Sequence, residues 1–89
     1  MEIKMKQVER IQTPEIVHYK YSNSVESYFK LGTSRFHRLD GPAFINDNGL
    51  VAWFIDGKEY FRFKDYLEIV KPLISDEAYL ILVLTYGTE

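Results

Sequence analysis

Two neighbouring stretches of the chain alternate apolar and polar residues at the two-residue spacing of half-buried strands. "IVHYKY" (Ile16–Tyr21) and "VESYFKL" (Val25–Leu31) flank the turn residues Ser22-Asn23-Ser24. A three-residue loop sets Lys20 opposite Glu26 and Val17 opposite Phe29, whereas a two-residue loop would set Val17 against Lys30. Register follows the choice that keeps apolar residues together, so the three-residue loop is predicted. Val17, Tyr19, Tyr21, Val25, Ser27 and Phe29 then share one face. His18, Lys20, Glu26, Tyr28 and Lys30 share the other, which reads as the water side of an antiparallel sheet.

The pattern recurs 25 positions later. "EIVHYKYSNSVESYFKLG" (Glu15–Gly32) falls on "DGPAFINDNGLVAWFIDG" (Asp40–Gly57), with Tyr28 on Trp53, Phe29 on Phe54 and Gly32 on Gly57. A period in this range points to a stacked supersecondary unit. The second unit predicts strands at Ala43–Asn46 and Leu50–Ile55 around Asp47-Asn48-Gly49, and Asp56-Gly57 turns the chain into a further strand, Lys58–Phe63. Gly41-Pro42 precedes the first of these, where proline is tolerated. The counterparts of the polar face are now Ala43, Ile45, Val51, Trp53 and Ile55. All are apolar, so the second hairpin is expected to be covered on both sides.

The cover is expected from the last third of the chain. In "FKDYLEIVK" (Phe63–Lys71), Phe63, Tyr66, Leu67, Ile69 and Val70 fall on one stripe at helical spacing, bounded by Pro72. "SDEAYLILVLTYG" begins with Ser75 as N-cap, places Asp76 and Glu77 in the first turn, and stops at Gly87. Its apolar run alone would fit a buried strand, but the cap pattern and leucine content favour a helix over 75–86. Glu2–Val8 fits either an edge strand or a short helix. The expected fold is therefore α+β: an antiparallel meander of four to six strands in two hairpin repeats (15–32 and 40–57), with one or two helices in 63–87. All of this lies in a single domain, 1–89.

Composition narrows the classes. A chain of 89 residues without cysteine must hold itself together by burial, and 46% hydrophobic residues with seven Tyr, six Phe and one Trp supply the means. The net charge of -2 brings no general attraction to nucleic acid or anionic lipid. The N-terminus "MEIKMKQVER" lacks the apolar core of a signal peptide. "AYLILVL" (Ala78–Leu84) is far short of the roughly 20 residues that span a bilayer. A soluble protein of the cytoplasm is expected.

"HRLDGPA" (His37–Ala43), followed by "WFIDGK" (Trp53–Lys58), resembles a repeat common in small proteins of tailed bacteriophages. In that repeat His-Arg-x-x-Gly-Pro-Ala alternates with Trp-Tyr-x-Asn-Gly-Lys, and it is distantly similar to the MORN type of β-hairpin repeat. Here Phe54 stands for the Tyr and Asp56 for the Asn, while "EYFRF" replaces a further His-Arg after Lys58. The clear motif spans about a quarter of the chain. The resemblance implies an accessory protein encoded by a phage and acting in its host, commonly by inhibiting a host enzyme. It implies no characteristic activity.

The residues that could carry chemistry are few. His37 could serve as a general base oriented by Asp40, with Arg38 on a phosphate, but such work needs hydrogen-bond reach and a fixed tautomer. The alternative is structural. His37, Arg38, Asp40, Gly41, Pro42, Trp53 and Gly57 then set turns and pack hairpin on hairpin, the Arg stem covering an aromatic ring. The resemblance favours that reading, because the motif is repeated many times over in the phage proteins. No spacing suits a metal, and Asn46-Asp47-Asn48-Gly49 reads as a turn rather than a calcium loop. No cofactor is expected. The outer face of the first hairpin, His18, Lys20, Tyr28 and Lys30, is the expected contact surface for a host or phage protein. Aromatics interleaved with cations would also suit a single nucleic-acid strand, although Glu26 lies among them. Self-association through the first hairpin's edge is a further option. A non-enzymatic protein-interaction module is thus the expected function.

Overall fold

The computed structural model describes residues 7–87. Six strands run in meander order, each antiparallel to the next: β1 (Gln7–Gln12), β2 (Ile16–Tyr21), β3 (Glu26–Lys30), β4 (Phe44–Ile45), β5 (Val51–Ile55) and β6 (Lys58–Tyr60). Helix α1 (Phe63–Val70), a 3-10 turn (Lys71–Leu73) and helix α2 (Asp76–Tyr86) follow. The α+β meander with two C-terminal helices is the architecture expected from the sequence. The expectation for Glu2–Val8 lies outside the described residues except at Gln7 and Val8, which open β1.

Local chemistry accounts for the turns. The β2–β3 register is that of the three-residue loop, with Lys20 paired to Glu26 and Val17 to Phe29. Ser24 closes this loop at φ 71°, and Gly49 closes the next at φ 88°. Both occupy the left-handed position that ends a three-residue hairpin loop, and they lie 25 residues apart. Gly32 and Gly57, again 25 apart, have φ 80° and 85°. The strand β1 is not anticipated by the alternation. Its six side chains are all exposed, so it is held by main-chain pairing to β2 and carries no apolar stripe to betray it. The Thr13 hydroxyl turns the chain between them, accepting from the Ile16 N–H at 3.0 Å.

Between β3 and β4 the chain does something no strand pattern foretells. Phe36, His37 and Arg38 lie as an extra rung between β3 and β5. The His37 N–H donates to Tyr28 at 3.0 Å, the Arg38 N–H to Phe54 at 3.2 Å, and the Gly57 N–H to Phe36 at 2.8 Å. The chain then leaves the sheet through Leu39, Asp40 and Gly41, and returns at Ala43, whose N–H donates to Ala52 at 2.9 Å. Backbone groups on such an excursion need partners away from the ladder. The Tyr66 hydroxyl of α1 provides them. It accepts from the Gly41 N–H at 3.2 Å and lies 2.6 Å from the Arg38 carbonyl and 2.8 Å from that of Gly41, one of which takes its proton.

The largest buried cluster lies on that same side. Trp53, Tyr66, Val70 and Leu82 are buried together, with Leu39, Ile55, Tyr60, Phe63, Leu67, Ile74 and Tyr86 packed around them. Trp53 is the hub, its ring centroid 4.7–5.0 Å from those of Phe63, Tyr66 and Tyr86. Ser75 caps α2 as its pattern predicts, its hydroxyl accepting from the Ala78 N–H at 3.1 Å. The helices cover only the Trp53 side of the sheet. The expectation of cover on both sides of the second hairpin is corrected here. One helical layer has one place to pack, and β5 turns Trp53 and Ile55 toward it while Phe54 faces away.

Replacing Tyr66 by Phe keeps the ring in the core and leaves the Gly41 N–H unpaired. A loss of about 1–3 kcal/mol is expected, read as a lower urea midpoint at unchanged slope.

Candidate functional site

The residues singled out by sequence fall into two groups on the helix-covered face. The first is a column of stacked side chains. His18 and Tyr28, paired across β2 and β3, stack at 3.9 Å with planes 10° apart. The Arg38 guanidinium lies 4.0 Å from the Tyr28 ring centroid, a cation on a π face. Arg38 is fixed in turn, its Nε donating to Asp40 at 3.0 Å and its Nη1 to the Pro42 carbonyl at 3.1 Å. His18 Nε2 lies 2.8 Å from Glu26 Oε1. The Tyr28 phenol is pushed up by burial, with Arg38 opposing in part. A hollow of about 230 Å³ runs alongside, between Ile11, Thr13, Ile16 and the column.

The second group surrounds His37. Its Nδ1 accepts from the Asp56 N–H at 2.7 Å, which fixes the ring as the neutral tautomer with the proton on Nε2. His37 therefore ties the β3–β4 connection to the β5–β6 turn. The carboxylate of Asp56 faces Arg35 at 3.3 Å and Lys30 at 3.5 Å, and the Arg35 hydrogen bond chiefly holds it below its ordinary value. Asp40 is turned to Arg38. No His37–Asp40 pairing forms, and the two candidate base and orienter residues serve different partners.

Of the four residues expected to meet a partner, none stands free. His18 and Tyr28 are half-buried within the column, Lys20 lies 3.7 Å from Glu9 on β1, and Lys30 is beside Asp56. Gly41, Pro42, Ala43 and Trp53 are buried, and Gly57 makes its turn. Among the described residues no cluster of three or more His, Asp or Glu side chains could hold a metal ion. Among the described residues no helix is long and apolar enough to cross a membrane.

The opposite face of the sheet is the surface that the sequence reading passed over. Phe36 lies at its centre, with ring centroids 4.8 Å from Phe29, 5.0 Å from Phe54 and 5.9 Å from Phe44. Tyr19 continues the row at 5.9 Å from Phe29. Small residues lie between the rings, with Ser27 paired to Tyr19 on one side and Phe44 on the other. Every ring is half-buried, and among the described residues no other element packs over them. At one end the rings border an open groove of about 480 Å³, lined by Arg10, Val17, Tyr19, Phe29, Leu31 and the Gly32–Ser34 loop. The signal was present in the apolar alternation itself, but an apolar strand face ordinarily reads as core.

Fold and surface together define an α+β meander that is helix-clad on one side and openly aromatic on the other. Comparison with known proteins finds no family model that matches the chain, no matching curated protein and no matching solved structure.

A Cβ at Gly41 would lie 2.6 Å from the Arg38 guanidinium carbon. Gly41→Ala is expected to displace Arg38 from Tyr28 and to destabilise by about 1–3 kcal/mol. In an Arg38→Ala background the same change should be nearly neutral, a non-additivity that chemical denaturation of the four variants would measure.

His37 carries a pH dependence. Burial first, and the Lys30 ammonium second, hold its imidazole below the ordinary 6.5, against the opposing carboxylates of Asp56 and Glu15. Since the folded value is the lower one, the unfolded chain takes up the proton first as pH falls. Stability from His37 is complete above about 6.5 and declines as pH drops toward the folded value. His37→Asn, whose side-chain oxygen can accept from the Asp56 N–H, should flatten the melting temperature between pH 7.5 and 5.5.

Proposed function

We propose that this protein is a non-enzymatic interaction module that binds a partner protein on its open aromatic face. The observation that carries this reading is the row Tyr19, Phe29, Phe36, Phe44 and Phe54, half-buried on a sheet face that no other described element covers. Rings held by one another and by the strands lose little freedom on binding, and their desolvation drives association. The groove beside Tyr19 is of a size to admit an anchoring side chain, and Arg10 at its edge offers a charge to a neighbouring acceptor. The non-enzymatic part is supported by how the polar motif is engaged, since His37 Nδ1 and the Arg38 guanidinium both bind main chain. The likeness of His37–Ala43 and Trp53–Lys58 to the phage repeat supports a phage-encoded accessory protein, acting on a host or phage protein in the host cytoplasm.

A single-stranded nucleic acid is the weaker ligand for either face. Lys20 and Lys30 each lie beside a carboxylate, which leaves little net attraction for phosphates.

The tagged protein should capture one stoichiometric partner from lysate of its bacterial host. Tyr19→Lys with Phe54→Asp should abolish capture, while Lys20→Glu with Lys30→Glu should retain it. Capture lost only with the lysine pair would move the site to the edge of the helix-covered face. Binding of a labelled single strand that weakens steeply with salt would replace the protein partner altogether.

A further inference from the structure

Helix α2 has a second apolar side. From Ala78 to Tyr86 it holds no charged residue, and only one flank meets the core, where Leu82 is 1% exposed. Leu80 and Ile81 are each 56% exposed and Leu84 is 70% exposed, side by side on the flank turned away. Next to them Thr85 donates its hydroxyl to the Ile81 carbonyl at 2.7 Å, so it presents a methyl group and needs no water. A helix that is apolar all round belongs between two layers. Here one layer is missing.

We propose that the missing layer is a second copy of this chain, with α2 packed antiparallel on its twin across a two-fold axis. The stripe is uncharged and therefore complementary to itself, as an isologous contact requires. The acidic turn decides the direction. In a parallel pair Asp76 and Glu77 of both copies would stand together, four carboxylates in one place. An antiparallel pair separates them to opposite ends and opposes the helix dipoles favourably. Ile69, 43% exposed on α1, and Leu73, 57% exposed on the 3-10 turn, add to the same helical layer. Leu80, Ile81 and Leu84 at roughly 100 Å² each give roughly 300 Å² per copy, or about 600 Å² for the pair, the size of a weak and reversible contact. A lipid surface is a poorer occupant, because a helix that lies on membranes carries Lys or Arg along its polar flank and α2 has neither. The dimer forms on the helix side of each sheet, so both aromatic faces stay open and the assembly is bivalent.

Sedimentation equilibrium on the full chain tests this. The expected result is a reversible monomer–dimer equilibrium between 10.5 kDa and twice that mass. Leu84→Glu and Ile81→Glu should each shift it to monomer by tenfold or more in the dissociation constant. Both positions are exposed, so circular dichroism and the dilute melting temperature should stay unchanged. A chain that remains monomeric at every soluble concentration overturns the proposal. So does a dimer that survives both glutamates and yields instead to Phe54→Asp, which would place the second copy on the open face. Because α2 takes no part in the open face, loss of dimerisation and loss of partner capture are separately readable.

Discussion

The Tyr66 hydroxyl joins the two layers of this protein. The excursion from Arg38 to Gly41 leaves the sheet, so its main-chain groups cannot be satisfied by neighbouring strands, and a buried unpaired N–H or carbonyl is costly. One phenol from α1 lies within hydrogen-bond distance of three of those groups, accepting from the Gly41 N–H and donating to one of the two carbonyls. Its ring at the same time packs on Trp53. Polar satisfaction and apolar packing thus meet in one side chain, and the position of α1 follows from both.

From that anchoring the asymmetry of the molecule follows. With α1 set against the excursion and Trp53, α2 completes the core through Leu82 and Tyr86, and the whole helical third is committed to one face. Nothing remains for the other. Its phenylalanines shield one another in stacked, tilted and edge-to-face pairs, contacts favourable in themselves yet still open to water. The described residues therefore leave two apolar surfaces uncovered, one on the sheet and one on α2. These are the surfaces on which the proposals for partner binding and self-association rest.

The conspicuous polar residues make contacts within the scaffold. Arg38 covers Tyr28, braces Pro42 and is itself held by Asp40. His37 joins two turns through a ring nitrogen. His18 lies between Tyr28 and Glu26. Each has at least one hydrogen-bonding atom engaged within the fold.

The order of β2 to β6, the register of the first hairpin, the left-handed turn position at Gly49 and both helices were legible in the sequence, because each depends on neighbours a few residues away. A loop length and an alternation suffice to pair Val17 with Phe29, and Ser75 with its acidic turn suffices to start α2. The sequence left three things to tertiary structure: that β1 pairs without an apolar stripe, that Phe36–Arg38 enters the sheet as a rung, and which side the helices choose. Alternation separates two faces of a strand but does not say which one receives the only cover. That choice was made by Tyr66 and Trp53 meeting the Arg38–Gly41 excursion across 25 or more residues of chain, a contact with no local signature.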